Sequence, residues 1–332
     1  MPFRPIAGHR PLLELLARAT ARATLPQSLL FAGPAGVGKR LTALALAQAL
    51  NCDNPSTYTD GIDACGSCKP CTRIAKGVHA DVLMVEPGET GTIKIEQIRE
   101  VVDRAGYRPF EGRRRVVIVD DADALGIPAQ DAVLKTLEEP PSTSVFVLVT
   151  DRPDVLLPTV RSRCQRLRFG PMDVADVAAI LVRDHEMSST EAHAAAAASG
   201  GSVGRAVAAS ADEAMEARDA AALLLKGAAS STDPRRRLDG AKALVGGGGD
   251  RDELSRRLLA MSSLLRDIGL LHARADARTL ANADLKPQLD SLTRAYDGDR
   301  ALRAFAAVDR AIDALERNAS PKIVADWLAL NL

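Results

Sequence analysis

The chain has 332 residues, 46% hydrophobic and 26% charged, with 43 basic and 43 acidic side chains in balance. The length implies two or three domains, and the neutral charge argues against bulk affinity for nucleic acid, leaving any such contact local or through partners. No apolar stretch approaches the roughly 20 residues of a membrane span, and Met1-Pro2-Phe3-Arg4-Pro5 lacks the apolar core of a secretion signal, so a cytoplasmic location off the membrane is expected.

Aromatic residues are only 3% and alanine is abundant, which favours helices. In the first half, short apolar runs at Leu29–Ala32, Val82–Val85, Val116–Val119 and Val145–Val149 read as strands. Helical patterns at Lys39–Leu50, Ile95–Ala105 and Ala129–Glu138 lie between them. Strands joined by crossover helices give an α/β class with a parallel sheet, its ligand site at the carboxyl ends of the strands. The first strand runs into Gly33-Pro34-Ala35-Gly36-Val37-Gly38-Lys39-Arg40. Glycines in this context let backbone N–H groups wrap a polyphosphate at a helix N-terminus, and Lys39 adds a point charge. The last position should carry a Ser or Thr hydroxyl for Mg²⁺, but Arg40 has no acceptor. Thr42 comes two residues late, about 200° around the helix, and does not replace that hydroxyl.

Cys65, Cys68 and Cys71, with Cys52 upstream, suit four thiolates converging on one structural Zn²⁺. Gly61, Gly66 and Pro70 are read as turns in a polar loop, a setting unlike that of a redox Cys-x-x-Cys pair, which opens a helix after a strand. Val116-Val117-Ile118-Val119-Asp120-Asp121 places Asp120 at a strand end to act on Mg²⁺ through water. Asp121 stands where a Glu would position the attacking water, one methylene short. Arg161-Ser162-Arg163-Cys164 follows a helix-like stretch, Asp154–Val160. It reads equally as basic residues at a helix C-terminus or as an arginine finger for a neighbouring subunit.

Near Pro171 the texture changes. Short helices run to about Ala209, with Ala192–Ser199 almost all alanine and Gly200-Gly201 ending that run. Beyond them every pattern is helical: Ala211–Leu225, Pro234–Val245, Asp252–Ala275, Asp284–Tyr296, Arg300–Arg317 and Pro321–Leu330. Gly246-Gly247-Gly248-Gly249 reads as a loop. Arg235-Arg236-Arg237 is either a solvated face or a DNA contact.

The phosphate loop, the four cysteines, Leu134-Lys135-Thr136-Leu137-Glu138-Glu139-Pro140-Pro141 and Ser162-Arg163-Cys164 occur in an order and at spacings that resemble the clamp-loader branch of AAA+ proteins. Within that branch they are most similar to the delta-prime family of bacterial DNA polymerase III. The resemblance covers the chain to about residue 210; the tail agrees in length and class. It implies a RecA-like AAA+ domain over 1–169 with a zinc module at about 52–71, a helical lid over 170–208 and an all-α collar over 209–332. It also implies a stator in a hetero-pentamer with delta and gamma/tau motor subunits, which opens a sliding clamp with ATP and closes it on primer-template DNA in a nucleoid-associated replisome. Such a chain would be a component of a nucleotidyltransferase holoenzyme with weak or no ATPase of its own. Arg163 would then be the finger offered in trans, Thr150 the first sensor and Arg205 the second. Some delta-prime chains lack the phosphate loop altogether; this one keeps most of it, so ATP or ADP binding stays open while Mg²⁺ is doubtful.

Two other readings compete. A gamma/tau-like motor shares the zinc module and Ser-Arg-Cys, but would have Thr or Ser after Lys39 and Glu at position 121. A zinc-dependent nucleic-acid module using Lys69 and Arg73 is disfavoured by the neutral net charge.

Overall fold

The computed structural model of the chain describes residues 2–208, 211–230, 233–245, 250–275, 280–317 and 319–332; the four-glycine run 246–249 lies outside them. Two compact units emerge, Met1–Pro171 and Met172–Leu332.

In the first unit, α1 (Arg10–Ala21) precedes β1 (Ser28–Ala32) and α2 (Lys39–Asn51). A small antiparallel hairpin follows, β2 (Ser56–Tyr58) with β3 (Gly61–Asp63), then α3 (Lys69–Ala75). The rest alternates as β4 (Val82–Val85), α4 (Ile95–Ala105), β5 (Arg115–Val119), α5 (Ile127–Glu138), β6 (Ser144–Thr150), the single turn α6 (Pro158–Arg161) and β7 (Gln165–Arg168). Five strands form one parallel sheet in the order β4-β5-β6-β1-β7. Successive side chains of a strand point to opposite faces, and two cores result. Leu29, Phe31, Val116, Ile118 and Val147 pack with α1 and α2 through Leu13, Leu16 and Leu46. Leu30, Val117, Val119, Phe146 and Leu148 pack with α4 and α5 through Ile98, Val133 and Leu137. The expected α/β class and parallel sheet are therefore present.

Local differences from the sequence reading have local causes. Strand β7 carries Gln165, Arg166 and Arg168 around one buried Leu167, so no apolar run announces it. The stretch Asp154–Val160 is not one helix. A 3-10 turn at Pro153–Val155 gives way to extended backbone at Leu156 and Leu157 before α6, as expected of residues before a proline. Only Cys65 sits in the expected loop: Cys52 caps the end of α2, Cys68 is the N-cap of α3, Pro70 lies in its first turn and Cys71 is inside it. Gly61 is a packing glycine, since a Cβ there would lie 2.4 Å from the Ala17 carbonyl carbon of α1; only Gly66, at φ 77°, makes the expected turn.

The end of the sheet opposite the phosphate loop is fixed by Asp81. Its carboxylate accepts from the backbone N–H groups of Phe110, Glu111 and Gly112, each at 2.8 Å, and from Arg115 Nη2 at 2.8 Å. Burial alone would push the Asp81 carboxyl up. The three amides and the guanidinium outweigh it, holding the group near 2 against an ordinary 3.8.

The second unit is helical: α7 (Val174–His185), α8 (Ser189–Ala198), α9 (Val203–Ala208), α10 (Ala211–Ser230), α11 (Pro234–Val245), α12 (Arg251–His272), α13 (Lys286–Thr293), α14 (Gly298–Glu316) and α15 (Pro321–Asn331). Side-chain caps at Ser188, Asp250 and Asp297 start α8, α12 and α14. The core gathers Leu258, Met261, Leu264, Tyr296, Val308 and Leu328. Buried Tyr296 donates its hydroxyl to the Leu225 carbonyl at 3.1 Å. Among the described residues, no helix is long and apolar enough to cross a membrane.

Replacing Asp81 with Ala leaves the buried Arg115 with its carbonyl acceptors but no counter-charge and strands three N–H groups, and should cost about 3–5 kcal/mol in urea unfolding at neutral pH. Because the folded-state value is depressed, the stabilisation is complete above about pH 4 and lost as pH falls toward 2. The wild-type stability curve should drop across that window and the Asp81→Ala curve much less. A variant within about 1 kcal/mol of wild type would remove this role.

Candidate functional site

The phosphate loop leaves the carboxyl end of β1, the strand between β6 and β7. Gly33 passes so close beneath Phe169 that a Cβ would lie 2.0 Å from its carbonyl oxygen. Gly36 and Gly38 take left-handed φ values of 72° and 96°, which turn the chain into α2 without side-chain strain. Val37 is buried, and its carbonyl accepts from His9 Nε2 at 3.0 Å. The His9 ring also meets Phe169 edge-on at 5.0 Å. This brace was missed in the sequence; its one signal is Gly8-His9, a pair with positive φ just before α1.

Lys39 is buried, and its Nζ donates to the loop's own Gly33 and Pro34 carbonyls at 2.7 and 2.6 Å. Burial lowers its pKa, opposed by the charges of Asp151, Asp120, Asp121 and Asp123. Arg40, in the first turn of α2, reaches across to the ends of β4 and β5. Its Nη1 donates to Asp120 Oδ2 at 2.9 Å and also pairs with Glu86. Thr42 is buried, with its hydroxyl committed to the Gly38 carbonyl at 2.9 Å.

Asp120 therefore faces a guanidinium. Asp121 follows in a left-handed turn; its side chain is exposed, yet partial desolvation beside the strand ends, then the charges of Asp120, Asp123 and Asp151, push its carboxyl up. Thr150, buried at the end of β6, donates to Asp123 Oδ1 at 2.8 Å and accepts from the Arg152 N–H at 3.0 Å. Arg152 in turn grips Asp123 at 2.6 Å. A cavity of about 470 Å³ opens over these groups, lined by Ala35, Gly36, Gly38, Lys39, Asp121 and Asp151 among others. The usual seat of a divalent cation fits poorly here: Asp120, the carboxylate at the strand end, is paired with Arg40, which offers only N–H donors and stands where a hydroxyl ligand would be.

The cysteine expectation is met in space. The sulfurs of Cys52, Cys65, Cys68 and Cys71 all lie within 4.8 Å of one another, with Cys52 and Cys68 3.9 Å apart. Four thiolates about 2.3 Å from one tetrahedral ion would have edges of about 3.8 Å. The cluster also has outer support: the Cys65 N–H donates to the Cys52 sulfur at 3.2 Å and the Cys68 N–H to the Cys65 sulfur at 3.3 Å. Those from Cys68 and Ser67 draw the Cys65 thiol down to about 6, whereas burial pushes Cys52 and Cys71 up. Although Cys65 and Cys68 do follow a strand and open a helix, the convergence of all four sulfurs suits a closed metal centre.

Arg163 lies just beyond α6, a helix of one turn, too short for the dipole reading to carry weight. Its guanidinium rests on Glu138 Oε2 at 3.2 Å and the Thr159 carbonyl at 3.1 Å, half-buried at the surface. Cys164 beside it is buried, its thiol pushed up to about 12. Arg205 belongs to the second unit, in α9, where it lines a cavity of about 380 Å³ with Ser199, Asp252, Arg256 and Leu259. The structure thus joins the loop residues, Asp120 and Asp121 around one cavity, with Thr150 beside them through Asp123. Glu86 and Glu138 were the partners that sequence did not reveal.

Comparison with known proteins adds a relationship. The profile of the family described as "DNA polymerase III, delta subunit" matches residues 8–173, half of the chain. The DNA polymerase III subunit delta' of Pseudomonas aeruginosa is 38% identical over 151 residues, 45% of either chain. The DNA polymerase III subunit tau of Escherichia coli K12 is 33% identical over 175 residues, 53% of this chain and 26% of that one. The chain thus spans less than half the length of these relatives. A DNA polymerase III gamma subunit-related protein of Thermotoga maritima aligns over 96% of this chain and 97% of that one, at 20% identity and a TM-score of 0.38. That similarity is too low to bear on the fold, which rests on the strand order above.

Proposed function

The chain belongs to the DNA polymerase III, delta subunit, family, and we propose that it is the non-hydrolysing, delta-prime-type stator of a clamp loader. In this reading it assembles with gamma/tau motor subunits and delta, and the assembly places a sliding clamp on primer-template DNA. Its first part, 1–169, would present Arg163 to the nucleotide of the adjoining motor. The lid, 170–208, would carry Arg205, and the collar, 209–332, would hold the ring together.

The observation that carries this reading is the pairing of Arg40 with Asp120 and Glu86. A chain whose cation seat holds its own guanidinium has no route to efficient hydrolysis, and a short Asp121 compounds the loss. Arg163, steadied by Glu138 at the surface, remains the group with a task. The 33% identity to the tau subunit favours a second reading, a hydrolysing motor, against which Arg40 and Asp121 both stand. The four sulfurs support one zinc ion held by Cys52, Cys65, Cys68 and Cys71. Such an ion would add charge and cross-linking only, with no open position for chemistry.

The free chain should turn over ATP negligibly. A complex reconstituted with Arg163→Ala should assemble with normal stoichiometry yet lose DNA-stimulated ATP turnover by roughly an order of magnitude or more, since a finger is worth about 10³–10⁵ at the site it serves. Unchanged turnover in a complex shown to contain the variant would remove the finger role, and robust turnover by the free chain, abolished by Lys39→Ala, would establish the motor.

Elemental analysis should give about one zinc per chain, and Cys68→Ser should lose most of it together with thermal stability. A metal-stripped chain with an unchanged melting temperature would overturn the structural role.

A further inference from the structure

Position 40 does more than remove a metal ligand. Arg40 Nη1 lies 2.9 Å from Asp120 Oδ2 and also pairs with Glu86, so a tethered monovalent cation sits between the two carboxylates at the ends of β4 and β5 and offsets one of their two charges. The anion-binding half of the site is nevertheless whole. Gly36 and Gly38 keep the turning backbone, and no side chain caps the N-terminus of α2, which leaves its first N–H groups in want of an acceptor. Lys39 Nζ donates to two neutral loop carbonyls, which a phosphate oxygen outcompetes as a charged acceptor. The cavity above, about 470 Å³, is within the range that takes a small ligand.

Charge decides which ligand. Asp121 and Asp151 face the same cavity as Lys39, and neither takes part in the pair that Arg40 makes. In an ordinary site a divalent ion would screen such carboxylates from the last phosphate of a triphosphate. Here Arg40 occupies that ion's place at Asp120 and carries one charge instead of two. A third phosphate would bring added negative charge toward Asp121 and Asp151, of which, among the described residues, only Asp151 forms an ion pair, with Arg152 at 3.9 Å. A diphosphate can use Lys39 and the helix N-terminus and stop short of that clash.

We propose that this loop is a metal-independent site for a nucleoside diphosphate, with Arg40 in place of the divalent cation and with selection against the triphosphate. It stands apart from the role given to Arg163: binding is read on the free chain, and the finger only in the assembled complex.

The test is equilibrium binding of a fluorescent ADP analogue to the full-length chain, with unlabelled ADP and ATP as competitors, in EDTA and in excess MgCl₂. The expected result is saturable ADP binding whose affinity changes less than about twofold between the two conditions, with ATP at least about tenfold weaker in EDTA. Lys39→Ala should abolish binding. Arg40→Ser, checked for folding by circular dichroism, should make ADP bind at least about tenfold tighter with Mg²⁺ than without. The wild-type measurements decide the matter without any variant. Absence of saturable binding in both conditions, a loss of about tenfold or more on adding EDTA, or ATP binding as tightly as ADP in EDTA would each overturn the proposal.

Discussion

Everything at the candidate site follows from the place of β1. It is hydrogen-bonded on both sides, to β6 and to β7, so its ends cannot shift without breaking a ladder. The chain must turn as soon as it leaves the sheet, and Gly33 can do so beneath Phe169 only because it has no Cβ. From that point α2 has one start and one direction. Lys39 then folds over the loop, and Arg40 lands opposite the ends of β4 and β5. A glycine and a sheet register thus set the chemistry several residues later.

The exchange of a hydroxyl for a guanidinium at position 40 is often counted as a loss. The structure presents it as a substitution that returns one positive charge to an acidic strand end. Two carboxylates left without a cation at a strand end would repel each other and any phosphate. Arg40 supplies a positive charge bonded to the chain, with no equilibrium to satisfy. The loop and its neighbours can thus keep their packing whether or not any ligand is present. That is a suitable property for a part whose proposed work is to hold still while another subunit moves.

Much of this was legible in the sequence, for physical reasons. Strands buried on both faces read as apolar β-branched runs, and four of the five parallel strands were found that way. The phosphate loop and the cysteine cluster announce themselves because their chemistry requires fixed spacing. What escaped notice lacked such a pattern. Strand β7 is an edge with one buried residue, and α3 begins on a cysteine and a proline inside a stretch that looks like a turn. The partners of the functional arginines were hidden for another reason. Glu86 follows β4 and Glu138 ends α5, and only the sheet order brings them to Arg40 and Arg163. Sequence spacing names a candidate; tertiary contact decides what it does.

The seclusion of Cys164 has a practical side. Its sulfur is shut inside the first unit with the thiol held protonated far above neutrality, while the chain's other four cysteines share one cluster. An alkylating reagent applied to the native chain therefore meets two populations: a quartet whose uptake tracks the state of the cluster, and a fifth site that stays silent until the unit opens. The molecule carries an internal gauge in which labelling beyond four equivalents marks opening of the first unit.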